Sequence, residues 1–469
     1  MDDGMPRPTV VLLPMWAPGH FSSMLQAGKR MLLCGAGSST PAVTLTVLVI
    51  PPPMDSWQCE MASGDGIDFH HLPAVEHRAD LPGHPSEYIQ LYAPHVKEAI
   101  AGLAAPVAAV VVDFFGTPLL DVAHDLAVPA YVYFASTGAA LALMLRLPAI
   151  YEEVYSTRLR EKQGVVDVPG MPPVPVASMP SPELNDYAWF VYYGRRFMEA
   201  RGIVVNTAVE LEPGVLAAIA DGRCTPGDRA PPVYPIGPVL TLKPRADGQS
   251  PHECVRWLDG RPPASVVFIC FGSRGWMRTG QVREVAAGLE RSGQSFLWVL
   301  RGPPAGSSLY PTDANLGDLL PDGFLERTKG KGFVWPSWAP QTEILAHAAV
   351  GAFVTHCGWN SILESLWHGV PMAPWPLYAE QPLNAFELVA CMGVSVELRV
   401  CTGRDNFVEA AELERAVRSL MGGSEEGRRA REKATKMKAA CRNAVEKGGT
   451  SYAATQRVVQ DMLESYVIK

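Results

Sequence analysis

The sequence predicts two doubly wound α/β domains facing each other across a cleft. Three observations lead there. Short, uniformly apolar runs alternate with longer amphipathic ones; the alternation occurs twice along 469 residues; and an irregular stretch rich in Pro and Gly, 234–253, separates the two series. Strands that are apolar throughout are buried on both faces, the condition of a parallel sheet covered by helices. At about 150 residues per domain the length suits two or three domains.

In the first series, strands are expected at 8–14, 43–50, 67–72, 107–113, 129–134 and 202–206, with helices at 21–34, 86–104, 116–126 and 137–147. The second series predicts strands at 265–271, 295–300, 332–335, 351–355 and 394–398. Its helices are expected at 279–291, 341–347, 359–367, 380–391 and 408–421, followed by a charged helical tail from about 424. The Pro-rich segment 167–182 lies inside the first series and reads as a long loop near a binding cleft. The domains are accordingly 1–240 and 254–450, joined by a linker at 241–253, with a last helix at 451–469.

Composition narrows the function. With 48% apolar and 19% charged residues the chain can bury a large core. A net charge of −8, without a basic tract, argues against nucleic acid. Nine cysteines, an odd number with no CxxC, point to reduced thiols and a cytoplasmic protein. The start, MDDGMPRPTVVLLPMW, is acidic where a signal peptide is basic. The most apolar segment, 128–145, is interrupted by Pro, Ser, Thr and Gly, so strand, turn and helix fit it better than a membrane span. A soluble protein is expected.

Ligands of open parallel sheets bind beyond the carboxyl ends of strands, where helix N-termini offer free N–H groups. Three strand ends carry suitable residues. In GAFVTHCGWNSILE (351–364), Gly358 lets backbone N–H groups approach an anion, His356 adds a donor, Asn360 and Ser361 fall in a first helical turn, and Glu364 can reach a ribose hydroxyl. Read alone, the stretch also fits a capped helix with a structural histidine. FGSRG (271–275) is a second anion-friendly turn and points to a diphosphate. Neither matches GxxxxGK[ST] or GxGxxG, which removes the main support for an ATPase or a nicotinamide-dependent oxidoreductase, and no GxSxG supports a serine hydrolase. In WAPGH (16–20), His20 stands at a helix N-terminus, whose positive end is expected to keep the imidazole neutral. Asp113 closes a neighbouring strand and can orient that ring. A capping histidine and an N-cap aspartate are the plainer reading of those two residues alone.

Residues 338–381 read WAPQTEILAHAAVGAFVTHCGWNSILESLWHGVPMAPWPLYAEQ, a span of 44 positions. WAPQ, HCGWNSxxES, GVPM and the closing EQ resemble, in register, the donor-binding box of plant UDP-dependent glycosyltransferases (family 1). PGH at 18–20, VVDFFGT at 111–117, YPIGP at 234–238 and SVVFICFGS at 265–273 extend the resemblance over nearly the whole chain. It implies the GT-B fold, two facing Rossmann-like domains with the acceptor in the first and the UDP-sugar in the second, and a C-terminal helix packing back on the first. No Asp-x-Asp occurs, so no metal is expected.

By the family pattern, Trp338 stacks on uracil, with Ala339 and Gln341 completing the nucleoside contacts, and Glu364 takes the ribose. Ser273, His356, Gly358, Asn360 and Ser361 hold the diphosphate, while Trp359, Glu380 and Gln381 contact the sugar. A Gln at 381 is usual with UDP-glucose; galactose users often carry His there. His20 is the general base, assisted by Asp113, in an inverting transfer to a hydroxyl of a flavonoid or related phenolic. Trp16, Ser136, Thr137, Trp189 and Phe190 are candidate acceptor-pocket residues, and which of residues 135–137 presents a hydroxyl to the sugar stays open. Alternatives on the same scaffold are C-glycosylation and a non-flavonoid acceptor such as a simple phenol, terpenoid or hormone. A protein that only binds a UDP-sugar is a different class. A monomer is expected, with no membrane or nucleic-acid partner.

Overall fold

The computed structural model describes residues 7–34, 42–53, 64, 66–75, 83–153, 164–180, 187–242, 250–306 and 308–467. Residues 243–249 of the expected linker, 181–182 of the Pro-rich loop and Cys59 lie outside them, as does the side chain of Cys34.

The first half builds one sheet from β1 (Thr9–Leu13), β2 (Thr44–Val49), β3 (Ile67–His71), β4 (Val107–Asp113), β5 (Ala130–Phe134), β6 (Gly202–Val205) and β7 (Val233–Pro235). Its order is β3-β2-β1-β4-β5-β6-β7, and every neighbouring pair is parallel. The second half repeats the plan with β8 (Val266–Cys270), β9 (Ser295–Val299), β10 (Gly332–Trp335), β11 (Val350–Thr355) and β12 (Met372–Pro374), ordered β10-β9-β8-β11-β12 and again parallel. The winding direction reverses between β1 and β4 in one sheet and between β8 and β11 in the other. Those two switch points are where the loaded strand ends of the sequence meet.

The helices that matter for the site are α1 (Pro18–Cys34), α2 (Gly138–Glu153), α3 (Ala188–Phe197), α4 (Trp359–His368), α5 (Gln381–Glu387) and α6 (Thr450–Val467). The α6 helix packs on α1, β4 and β7. It is pinned there by Asp461, which accepts hydrogen bonds from Tyr131 Oη at 2.6 Å, Tyr234 Oη at 3.2 Å and Arg201 Nη2 at 2.9 Å. Among the described residues no helix is long and apolar enough to cross a membrane; 128–145 divides into β5, a turn and α2. All seven described cysteines are free thiols, five of them buried.

Four sequence expectations need correction. No strand forms at 394–398, where Ser395 makes a single bridge to Met372. The edge strand is β12 instead, which the prolines at 371 and 374 disguised. The helix expected at 86–104 breaks into Pro85–Gln90 and Ala93–Ala101, because Pro94 fits only the first turn of a new helix. Pro118 likewise makes 116–126 a 3₁₀ turn, Phe114–Leu119, followed by a short helix, Leu120–Asp125. The helix expected at 380–391 is regular only over α5 and finishes in a wide turn, Leu388–Met392.

The halves meet around a buried pair of acidic side chains. Glu212 accepts from the backbone N–H groups of Gly138 and Ala139 at 2.8 and 2.7 Å, at the start of α2. Glu387, at the end of α5 and buried, faces it. Burial first, then the charge of Glu212, pushes the Glu387 carboxyl well above its ordinary 4.5. Its folded-state affinity for a proton exceeds the unfolded one, so its contribution to stability is full below 4.5 and is lost as pH rises through the raised value. Glu387→Gln keeps the shape without the titration. Unfolding temperatures over a pH series should therefore fall more steeply for the wild type than for this variant; parallel curves would contradict the assignment.

Candidate active site

At the switch point of the first sheet, β1 runs into WAPGH. Pro18 opens α1, and the backbone N–H groups of His20 and Phe21 both return to the Ala17 carbonyl. Asp113 ends β4, next to β1, and serves both readings of the sequence. Its Oδ1 accepts from Phe115 N–H at 3.0 Å, capping the turn that follows, and its Oδ2 pairs with His20 Nδ1 at 2.8 Å. Asp113 is fully buried, while 24% of the His20 side chain remains accessible. A carboxylate at Nδ1 requires the proton there, which leaves Nε2 as the ring nitrogen with a free lone pair.

The shift at His20 runs opposite to the one expected from the helix end alone. Burial lowers its proton affinity most, but the Asp113 charge, the Asp113 hydrogen bond and the charge of Glu380 together outweigh it, and His20 sits above the ordinary 6.5. A helix end carries about half a charge, whereas the carboxylate carries a full one in direct contact.

At the second switch point the ends of β8 and β11 lie side by side, with Cys270 paired to Thr355. Cys357 turns the chain at φ 66°, an uncommon conformation for a residue with a side chain. The turn is held by Cys357 N–H on Thr355 Oγ1 at 3.3 Å and by Asn384 Nδ2 on the Cys357 carbonyl at 2.9 Å. This packs the His356 ring between the two loops. A Cβ at Gly272 or at Gly358 would stand 2.5 Å from that ring, so both positions require glycine. Burial lowers His356 to about 4, so it meets a ligand as a neutral ring, and its buried Nδ1 has no partner.

Gly358 precedes α4 as its N-cap and offers no side-chain cap, leaving the first N–H groups of this helix for an anion. Ser361 Oγ accepts from Gln341 Nε2 at 2.8 Å, which keeps its hydroxyl proton available for donation. The same Gln341 amide donates to Glu364 Oε2 at 2.7 Å. Burial raises Glu364, partly offset by Gln341 and Thr342. Ser273 lies exposed beyond β8, Ala339 is buried, and Trp338 is 64% exposed with its carbonyl accepting from Trp335 Nε1. An exposed indole offers a face on which a flat base can stack.

Glu380 and Gln381 stand where α5 begins. Gln381 Oε1 accepts from the N–H groups of Leu377 and Tyr378 at 2.9 and 3.1 Å, an arrangement that fixes the amide orientation and turns the NH₂ the other way. Across the cleft, Ser136 Oγ donates to Glu380 Oε1 at 3.0 Å. Thr137 is corrected: fully buried, it caps α2 through Oγ1 on Ala140 N–H. Of 135–137, Ser136 is the residue with a hydroxyl at the cleft. Trp359 is corrected too. Only 3% exposed, with Nε1 donating to the Asn206 carbonyl at 2.6 Å, its indole is packed between the halves and is not presented to a sugar.

The aromatic wall beside His20 was only partly foreseen. Phe114 and Phe115 lie against His20, each with ring centroids 5.4 Å away. Trp189 stacks on His84 at 3.6 Å, and His84 in turn reaches Phe115. Burial lowers His84 to about 4, and Ser86 N–H donates to its Nδ1 at 3.2 Å. No sequence pattern marked His84. Trp16 meets Tyr88 edge-on, and Phe190 packs on Tyr187.

Facing parallel-sheet domains, with an uncapped helix end on one side of the cleft and a His–Asp pair on the other, define a GT-B glycosyltransferase. The family described as UDP-glucoronosyl and UDP-glucosyl transferase matches residues 243–425. Malvidin galactosylase UGT88C3 of Oryza sativa subsp. japonica is 56% identical, covering 98% of each chain. Anthocyanidin 5,3-O-glucosyltransferase of a Rosa hybrid cultivar is 37% identical, over 96% of this chain and 98% of the relative. A transferase from Siraitia grosvenorii solved in complex with UDP superposes with a TM-score of 0.84 at 35% identity, covering 97% of this chain and all of that one. The chain belongs to the plant UDP-glycosyltransferase family and is a UDP-glycosyltransferase.

The His20 titration can be followed directly. Histidine NMR should place its midpoint above 6.5 in the wild type and lower in Asp113→Asn, where burial acts with only Glu380 against it. An unchanged midpoint would remove Asp113 as the cause.

Proposed function

We propose that the protein transfers a hexose from a UDP-sugar, with inversion, to a hydroxyl of a flavonoid or anthocyanidin-type phenolic. One observation carries the reading: the His20–Asp113 pair and the uncapped start of α4 face each other across the cleft, in contact through Asn360 Nδ2 and the Gly19 carbonyl at 3.0 Å. In this reading His20 Nε2 takes the proton of the acceptor hydroxyl while that oxygen attacks the anomeric carbon. The bond from that carbon to the phosphate oxygen breaks, and its electron pair leaves with UDP, whose charge the α4 N–H groups, Ser361 and His356 receive. Asp113 stabilises the imidazolium that forms. An α-linked donor then yields a β-glycoside.

The acceptor class rests on the aromatic wall beside His20 and on relatives named for malvidin and anthocyanidin. Phenols suit a histidine base because their acidity lowers the cost of deprotonation. For the donor, Gln381 favours glucose. Galactose is the second reading, favoured by the 56% identical relative named as a galactosylase. We further propose a cytosolic enzyme that needs no metal; free thiols and an anion site built from N–H groups and neutral side chains support both parts.

Incubation with UDP-glucose or UDP-galactose and a panel of flavonoids, anthocyanidins and simple phenols, without metal, should add one hexose to a phenolic acceptor, faster from UDP-glucose. UDP binding without turnover on any acceptor would favour a binding protein. His20→Ala should lower kcat by about 10²–10⁴ while UDP affinity stays nearly unchanged. A parallel loss of both would count against His20 as the base.

A further inference from the structure

The first two residues of α4 each spend a side-chain N–H on the opposite half of the molecule. Asn360 Nδ2 donates to the carbonyl of Gly19, immediately before His20. Trp359 Nε1 donates to the carbonyl of Asn206, which follows β6. Asn206 carries the contact onward, its Nδ2 donating to Ser23 Oγ at 3.1 Å, and Ser23 bonds Tyr133 Oη at 2.6 Å. The Asn206 amide is itself clamped by Val239, whose N–H reaches its Oδ1 at 2.7 Å. Ser23 lies one turn beyond His20 on α1. The catalytic helix is thus gripped on both sides of His20, at residue 19 directly and at residue 23 through Asn206.

Anion binding does not call for these contacts. The backbone N–H groups at the start of α4 serve an anion whatever the side chains do. A side chain whose sole task was to touch the donor would face it; Trp359 is instead buried, and Asn360 directs its NH₂ away from its own domain. Meanwhile the grip acts where position matters most, since a misplacement of about 1 Å can cost about a hundredfold in rate.

We propose that Asn360 and Trp359 are positioning residues that register α1 on α4, so that His20 Nε2 stands at a set place relative to a sugar whose diphosphate occupies the α4 N-terminus. The inference rests on the reading of His20 and α4 given above. It makes donor binding and base placement two properties of one helix end, carried by different atoms: backbone N–H groups hold the donor, and two side-chain N–H groups hold the base.

The test is a double-mutant cycle. Asn360→Ala, Trp359→Phe, His20→Ala and the two double variants with His20→Ala are compared by UDP affinity, kcat and KM for the UDP-sugar, and unfolding temperature. Trp359→Phe keeps an aromatic ring in the buried site while removing the N–H together with part of the indole, and the unfolding temperature reads the packing loss, so it remains informative should Asn360→Ala fold poorly. Each single latch variant should lower kcat about tenfold or more, with UDP affinity within about threefold of wild type. In the His20→Ala background the same changes should cost little further, because residues that act through His20 have nothing left to position. Parallel losses of UDP affinity and kcat would make Asn360 and Trp359 donor-binding residues and overturn the inference. So would an undiminished effect in the His20→Ala background, or an unchanged kcat in both single variants. Full activity of His20→Ala alone would instead overturn the base assignment on which it rests.

Discussion

The 2.8 Å contact between His20 and the buried Asp113 is the constraint on which the rest of the cleft depends. It joins residues 93 positions apart, and it exists because β1 and β4 are neighbours although β2 and β3 lie between them in the chain. The doubly wound order makes those strands adjacent at the point where the winding reverses, so the loops that follow them open a crevice. Asp113 is costly to bury without partners, and the Phe115 N–H and His20 Nδ1 supply one for each oxygen. In return the carboxylate sets the tautomer and raises the proton affinity of the ring that faces the cleft.

The second sheet uses the same device for the opposite charge. Its switch point contains no buried carboxylate at the turn itself; it has a neutral histidine wedged between glycines and a helix end with free N–H groups. In the proposed mechanism, proton transfer and anion binding are therefore separated by domain. Neutral donors suit a leaving diphosphate, since N–H groups already aimed at it need no reorganisation as its charge develops.

Much of this was legible in the sequence because it is local. Uniformly apolar runs marked most strands of both sheets, and the residues at their carboxyl ends marked the candidate site, since a Gly beside a helix start and a His after a strand carry their chemistry in short-range order. The failures were long-range or masked. Trp359 read as a plate for the sugar because its partner, Asn206, lies 153 residues away. Thr137 and Ser136 are equivalent in sequence, and only the strand-to-helix turn decides that one caps α2 while the other reaches Glu380. Prolines at 371 and 374 hid a three-residue edge strand. His84 gave no signal, because stacking on Trp189 is a property of packing and not of spacing. The direction expected for the His20 shift failed for a related reason: the helix end was visible in the sequence, but the contact with Asp113 could not be weighed until its distance was known.

Single displacement by an acceptor oxygen, with His20 taking the proton, is the claim from which the rest follows. Product stereochemistry tests it most directly. Proton NMR of the glycoside formed from an α-linked UDP-hexose reads the anomeric configuration through the coupling between H1 and H2. The β-anomer is the result this arrangement requires. An α-glycoside would mean retention, and a mechanism in which His20 and Asp113 do something else.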